Sequence, residues 1–294
     1  LNSFQRTFGF INNHPLAKRH LFKAYFNFFK WQFRAAFNKN LIISPFIHDI
    51  KIATKKGMYG ITGNLYAGLH EFHEMGFLLH FLQQSDIFFD VGANAGSYTL
   101  LAAGVKNARC YSFEPVPSTF EILRENLRIN QLEHLVKAVN AAAGNENDFL
   151  NFSTDYDATN HVLNTSEKTN TIRVDVVKLD NFATEAQPSI IKIDVEGYET
   201  AVIQGAANVL QNPALKAIII ELIGSGNRYG FDEMKIHQQL LASGFQPYAY
   251  DPFTRKLSLL ESFAGDNTIY IRDIDEVKNR VLNAPAFNIF GEAI

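Results

Sequence analysis

The stretch Ile87-Phe-Phe-Asp-Val-Gly-Ala-Asn-Ala-Gly-Ser-Tyr98 limits what this chain can become more than any other segment. An apolar run ends on Asp90, passes through Gly92, Asn94 and Gly96, and enters an apolar, helix-like segment from Tyr98 to Ala103. Physically this reads as a strand, a tight turn and a helix start. Glycines in such a turn let the backbone come close to a ligand at angles that other residues avoid. The helix start then offers unpaired N–H groups to the ligand's polar end.

From Gln84 onward the chain repeats that unit. Strands are predicted at 87–91, 108–113, 135–141, 174–178, 190–193 and 217–222, and helices at 97–103, 117–130, 199–210 and 232–243. The section 144–170 is polar and irregular, and the strands at 245–250 and 268–271 are joined by a loop. The pattern implies an α/β Rossmann-like fold, mostly parallel, with one antiparallel strand near the C-terminus. Ligands of such sheets bind beyond the carboxyl ends of the strands.

Two nucleotide-type readings compete for the loop. The dinucleotide fingerprint needs Gly-x-Gly-x-x-Gly, whereas here the order is Asp-x-Gly-x-x-x-Gly. That spacing fits the S-adenosylmethionine (SAM) loop of class I methyltransferases better, with an acid near the cationic methionine end. Four predicted strands end on acids: Asp90, Glu114, Asp194 and Glu221. Carboxylates gathered at one sheet edge are costly unless a cation, a hydroxyl-bearing ligand or a metal meets them. Glu114 can accept from both hydroxyls of a ribose, and Pro115 stops its strand. Asn140 and Ala141, ending the third strand, are positioned to meet an adenine.

The segments Asp90-Val-Gly-Ala-Asn-Ala-Gly96, Phe113-Glu-Pro115, Val139-Asn-Ala141 and Ile191-Lys-Ile-Asp-Val-Glu-Gly-Tyr-Glu199 resemble the ordered motifs of the FkbM-type methyltransferases. That family is a class I, SAM-dependent group associated with O-methylation of sugar or natural-product hydroxyls. The resemblance spans roughly residues 65–272, and Ile-Asp-Val-Glu-Gly-x-Glu is its most specific part. It implies that Asp90, Gly92, Asn94, Gly96 and Ser97 form the cofactor loop, with Glu114 and Pro115 at the ribose. It also puts Glu71, with Glu74, in an acidic helix ahead of the loop, and Asp194 beside the methionine end or the substrate. His73 within the acidic segment and Ser85 at a turn where glycine is common depart from the family pattern.

A sugar hydroxyl needs a base or a metal to become a nucleophile near neutral pH. Asp194 and Glu221 are the leading candidates, with His161 in the irregular section as a third. A Mg²⁺ bridged by Asp194 and Glu221 is an alternative that hard oxygen ligands allow. Glu199 is alternatively a helix cap. The expected function is thus SAM-dependent O-methylation of a sugar, glycan or related small molecule. Two other classes stay open: an NAD-type oxidoreductase on a similar sheet, and a non-catalytic module that docks a membrane or partner. In the loop Gly224–Gly230, Arg228 and Tyr229 could hold an anionic or sugar group.

The chain divides on this reading into a basic, aromatic extension or lid at 1–64, the SAM-binding domain at 65–273, and a C-terminal helix and tail at 274–294. Residues 1–60 carry ten Lys/Arg against one acid, Asp49, while the other 234 carry seventeen against twenty-nine. Residues 16–39 read as one helix with a polar stripe at Lys23, Asn27, Lys30 and Arg34. Its Phe22, Phe26, Phe29 and Phe33 cover much of the remaining surface, and packing on the main domain is the simplest expectation. A membrane-surface helix, a dimer contact or a basic flank to the pocket are the alternatives. No nucleic-acid motif accompanies the charge. His70, His73 and His80 lack zinc-helix spacing. Cys110, the single cysteine, is expected to be a buried hydrophobe, and no apolar run nears the ~20 residues that span a bilayer. A cytoplasmic protein, with membrane association at most peripheral, is expected.

Overall fold

The computed structural model describes residues 3–153, Val162 and 171–294. Its main sheet comprises β1 (Ile87–Val91), β2 (Arg109–Phe113), β3 (Val136–Val139), β4 (Ile190–Ile193), β5 (Ala217–Glu221), β6 (Gln246–Asp251), β7 (Lys256–Leu259) and β8 (Asn267–Ile271). Their order across the sheet is β7-β6-β8-β5-β4-β1-β2-β3. Neighbours from β3 to β5 pair in parallel, whereas β8 runs antiparallel between β5 and β6. This is the class I methyltransferase arrangement, with the expected antiparallel strand at 267–271. The short edge strand β7, read from sequence as loop, pairs antiparallel with β6.

Alternating strand residues build a core on each face. Phe88, Cys110, Ile190 and Ile219 join one cluster, and Phe89, Tyr111, Ile191 and Ile218 the other. Cys110 is buried, as its apolar surroundings dictate. The third crossover departs from expectation. The strand predicted over 135–141 stops at Val139, and Ala142–Ala143 starts a separate sheet with Phe149–Ser153 and Thr171–Val177. A small β layer therefore stands where a helix would ordinarily cross back. The helix after β1 begins at Ser97 and is wound as a π-helix over Leu100–Val105. Beyond the sheet, the expected C-terminal helix spans Ile274–Asn283.

The N-terminal segment forms a helix at Ser3–Asn13, a 3₁₀ turn at Ala17–Arg19 and a helix at Leu21–Phe37. The single helix expected over 16–39 is thus broken at His20, whose backbone is non-helical. A hairpin of Ile42–Pro45 with Lys51–Thr54 follows, and Ile52 and Ile61 enter the main core. Fully buried Asn126 joins this hairpin to the loop after β1. Its Oδ1 accepts from Ala53 N at 2.6 Å, and its Nδ2 donates to Ala95 O at 2.8 Å.

Replacing Asn126 by Ala leaves a buried N–H and a buried carbonyl without partners. Asn126→Ala is expected to lower unfolding free energy by about 2–4 kcal/mol in a urea titration. A loss below ~0.5 kcal/mol would show that the hairpin and loop hold together without this bridge.

Candidate active site

A cavity of about 240 Å³ opens at the carboxyl ends of the central strands, where the strand order reverses between β1 and β4. Gly92, which follows β1, carries φ +80°, and a Cβ there would lie 1.8 Å from Asp194 O at the end of β4. Only glycine lets the two strand ends approach so closely. Asn94 and Glu196 also adopt left-handed backbone angles, so both loops bend sharply at the cavity rim.

Glu71, Asp90, Gly92, Asn94 and Ser97 line the cavity, as do Glu114, Pro115, Ala141, Asp194 and Glu221. Two expected residues stand behind the lining. Gly96 opens the helix in a left-handed turn, and a Cβ there would meet Leu123 Cδ1 at 2.6 Å. Asn140 spends its Nδ2 on Glu114 O at 2.8 Å and Pro115 O at 3.0 Å, so it braces the turn instead of facing the cavity. His161 lies outside the described residues.

The acids differ sharply in environment. Asp90 is buried, and its Oδ2 accepts from Thr99 N at 3.0 Å and Thr99 Oγ1 at 2.6 Å; burial pushes its pKa up to about 6. Glu114 accepts from Val116 N at 2.9 Å and Asn94 N at 3.0 Å, one backbone donor on each oxygen. Burial nonetheless raises it to about 7. Glu199 accepts from Val195 N and Gly197 N, both at 3.1 Å, and so holds the Val-Glu-Gly turn. Half-buried Glu221 is raised to about 8 by burial and by the nearby Asp194 and Glu196 carboxylates.

Sequence reasoning missed the residue that relates these acids. Lys192, 3% exposed on β4, reaches Asp194 Oδ2 at 2.7 Å and lies over the Tyr98 ring at 4.8 Å. Burial opposes its charge, but Asp194, Glu71 and Asp90 outweigh that and hold its pKa above the ordinary value. This ammonium gives Asp194, one of the two residues expected to bridge a Mg²⁺, a counter-charge from within the chain. Glu196 is a second omission. It lines the cavity, and its carboxylate oxygens approach those of Asp194 and Glu221 within 4.8 Å. Both residues stood in Ile191-Lys-Ile-Asp-Val-Glu196, so their signal was the motif itself.

The histidines do other work. His73 Nδ1 lies 2.8 Å from Tyr250 O, and His80 Nδ1 lies 2.6 Å from Tyr250 Oη. His70 lines the cavity with a buried Nδ1 that has no hydrogen-bond partner. Tyr198, which lines the cavity, forms a ring cluster with Tyr229 and Phe231, with centroids 5.6–5.9 Å apart. Tyr229 sits near β5 as expected, and exposed Arg228 lies 6.0 Å from its ring.

A family profile described as the methyltransferase FkbM domain matches residues 90–247, more than half of the chain. The chain belongs to the FkbM methyltransferase family. The NAD-type reading gives way to that membership. Hexuronic acid methyltransferase AglP of Haloferax volcanii is 26% identical over 147 residues, 49% of this chain. The match spans 59% of that relative's length. Among solved structures, precorrin-6y C5,15-methyltransferase of Geobacter metallireducens aligns over 75% of this chain and 93% of its own, with 14% identity and a TM-score of 0.41. TYW2 of P. horikoshii in complex with MeSAdo aligns over 80% and 70%, with 13% identity and a TM-score of 0.39. The strand order, not these distant likenesses, carries the fold assignment.

Glu114, Glu196 and Glu199, each raised to about 7, and Glu221, raised to about 8, make the ligand-free fold bind more protons than the unfolded chain near neutrality. Stability is full below the unfolded carboxyl values and is lost as pH rises through these folded ones. His14 and His80, held down to about 4, act oppositely only below their ordinary 6.5. The melting temperature of the ligand-free protein is therefore expected to fall from about pH 7 to about pH 8.5. A flat or rising profile in scanning calorimetry would contradict the buried-acid account.

Proposed function

We propose that the protein transfers a methyl group from SAM to a hydroxyl of a sugar or glycan. The observation that carries this reading is the juxtaposition, around one cavity, of a nucleotide-type corner at Glu114 and a second carboxylate edge at Asp194, Glu196 and Glu221. The residues present suit the cofactor. Each Glu114 oxygen takes one backbone N–H and retains acceptor capacity for a ribose hydroxyl. Ala141, Ala142, Val116 and Phe152 give the neighbouring wall the apolar character an adenine needs. A methionine end carries both an ammonium and a carboxylate, which suits a corner that offers Asp194 and Lys192 together. Bound SAM supplies a methyl group already activated by its sulfonium.

The chain's own task is then to align an acceptor oxygen, exclude water and take a proton. Glu221 is our choice for the base, because a carboxyl raised to about 8 is matched to proton transfer near neutral pH. Lys192 keeps Asp194 fixed as a positioning residue. The rings of Tyr198, Tyr229 and Phe231 offer a surface against which a sugar can lie. The carbohydrate acceptor is supported by the relative's name as a hexuronic acid methyltransferase. Residues 65–273 supply this scheme, and Gly60 and Ile61 of the 1–64 extension complete the wall.

Calorimetric titration with S-adenosylhomocysteine is expected to give a saturable signal. Glu114→Ala should weaken it by ~1–3 kcal/mol through loss of the charged acceptor. No heat at high micromolar ligand with the wild-type chain would sink the cofactor assignment, and an unchanged Glu114→Ala affinity would move the ribose elsewhere.

Labelled SAM with a panel of glycans and nucleotide sugars tests the acceptor. Because Glu221 works as a base only when ionised, kcat/KM should rise with pH through about 8. Glu221→Gln should lose roughly 10²–10⁴-fold in turnover together with that inflection. Retention of both would pass the proton-accepting role to another group.

A further inference from the structure

The helix Leu21–Phe37 presents two rows of residues with the same spacing on opposite sides. Ala24, Phe28, Trp31 and Ala35, at i, i+4, i+7 and i+11, are buried against the chain. Phe22, Phe26, Phe29, Phe33 and Phe37 continue that spacing half a turn away and are 88, 57, 56, 69 and 80% exposed. The first row seats the helix on the rest of the chain, and the phenylalanine row is left outside. Trp31 and Phe28 are already enough to seat the helix, with Trp31 Nε1 donating to Thr54 Oγ1 at 3.1 Å. Five exposed phenylalanines in one line about 22 Å long are not scattered surface apolarity.

A basic row runs along one border of the phenylalanines. Lys23, Lys30 and Arg34 line a groove of about 280 Å³ between this helix and the hairpin, together with Asn27, Ser44 and Phe290. Lys23 Nζ sits 4.5 Å over the Phe290 ring, and Arg34 Nη1 reaches Ser44 Oγ at 3.3 Å. No acid precedes Asp49, so the first forty-eight residues carry seven Lys/Arg and no counter-charge of their own. Glu292 answers only Arg19 and His20 from the far end of the chain.

We propose that this face docks the protein on an anionic lipid bilayer, with the phenylalanine row at the boundary of headgroups and acyl chains. Lys23, Lys30 and Arg34 then lie at headgroup depth, where the groove takes a lipid phosphate. Charge decides between occupants. A second copy would bring no acid to the basic row, because a two-fold contact opposes the same patch to itself and this patch has none. An anionic surface complements the basic row, and rings inserted beside lysines are the pattern of interfacial helices. No helix among the described residues is long and apolar enough to cross a membrane, so the contact is peripheral.

The test is flotation of the full chain with vesicles of phosphatidylcholine, with or without phosphatidylglycerol. Wild-type protein should float with the anionic vesicles only, and less so as salt is raised. A combined Phe22→Ser, Phe26→Ser, Phe33→Ser and Phe37→Ser variant should lose roughly tenfold or more of this binding with an unchanged melting temperature, since those rings pack on little. Lys23→Gln with Lys30→Gln should weaken it on anionic vesicles. The proposal fails if wild-type protein does not float, if the phenylalanine variant floats as well as wild type, or if sedimentation shows a dimer that this variant dissolves.

Discussion

The site depends on one ammonium group buried among carboxylates. Lys192 reaches Asp194 at 2.7 Å, and Glu71 and Asp90 add to the field that keeps it charged. Without it, the carboxyl ends of the central strands would gather negative charge in a region where water is scarce, and folding would have to leave those acids neutral. With it, part of the edge stays ionised while Glu114, Glu196 and Glu221 sit close to neutrality in pKa. The lysine thus sets what the cavity can be before any ligand arrives.

That electrostatic arrangement requires the strand ends to be held close together, and backbone chemistry does the holding. Gly92 lets the loop after β1 meet Asp194 O, and Asp194 N donates to Val91 O at 3.0 Å. Glu114 ties the same loop from the other side through Asn94 N. Glu199 fixes the turn after β4 through two backbone donors, a structural use of an acid within the cavity's own motif. Asn126 then extends the brace outward to the N-terminal hairpin. Rigid scaffolding of this kind is what lets loop residues keep functional geometry.

Much of this was legible in the residues. The strand–turn–helix at Ile87–Tyr98, the acids at strand ends and the terminal β pair follow from periodicity and glycine spacing, which are local signals. Lys192 was not legible because a lysine within an apolar strand looks like an edge residue until its neighbours are known. Asn140 stands at a strand end as its position implied, and what the residues alone did not show is that its Nδ2 is taken up by Glu114 O and Pro115 O. Of the small sheet, the strand at Thr171–Val177 was foreshadowed by the one predicted at 174–178, whereas Ala142–Ala143 and Phe149–Ser153 are too short to stand out from the irregular section around them. The phenylalanine row was visible, but composition alone does not tell which side of a mostly apolar helix turns inward.

The carboxylate edge has a consequence for turnover under the proposed reading. An edge of ionised acids holds a cation more strongly than a neutral molecule of the same shape, by the ordinary distance dependence of charge attraction. Asp194, joined by Glu196 and Glu221 once they ionise, would therefore favour the sulfonium-bearing methyl donor over its spent thioether. Discrimination of that kind works without any moving part: the corner that recruits the fresh cofactor is also the one that has least hold on the exhausted one.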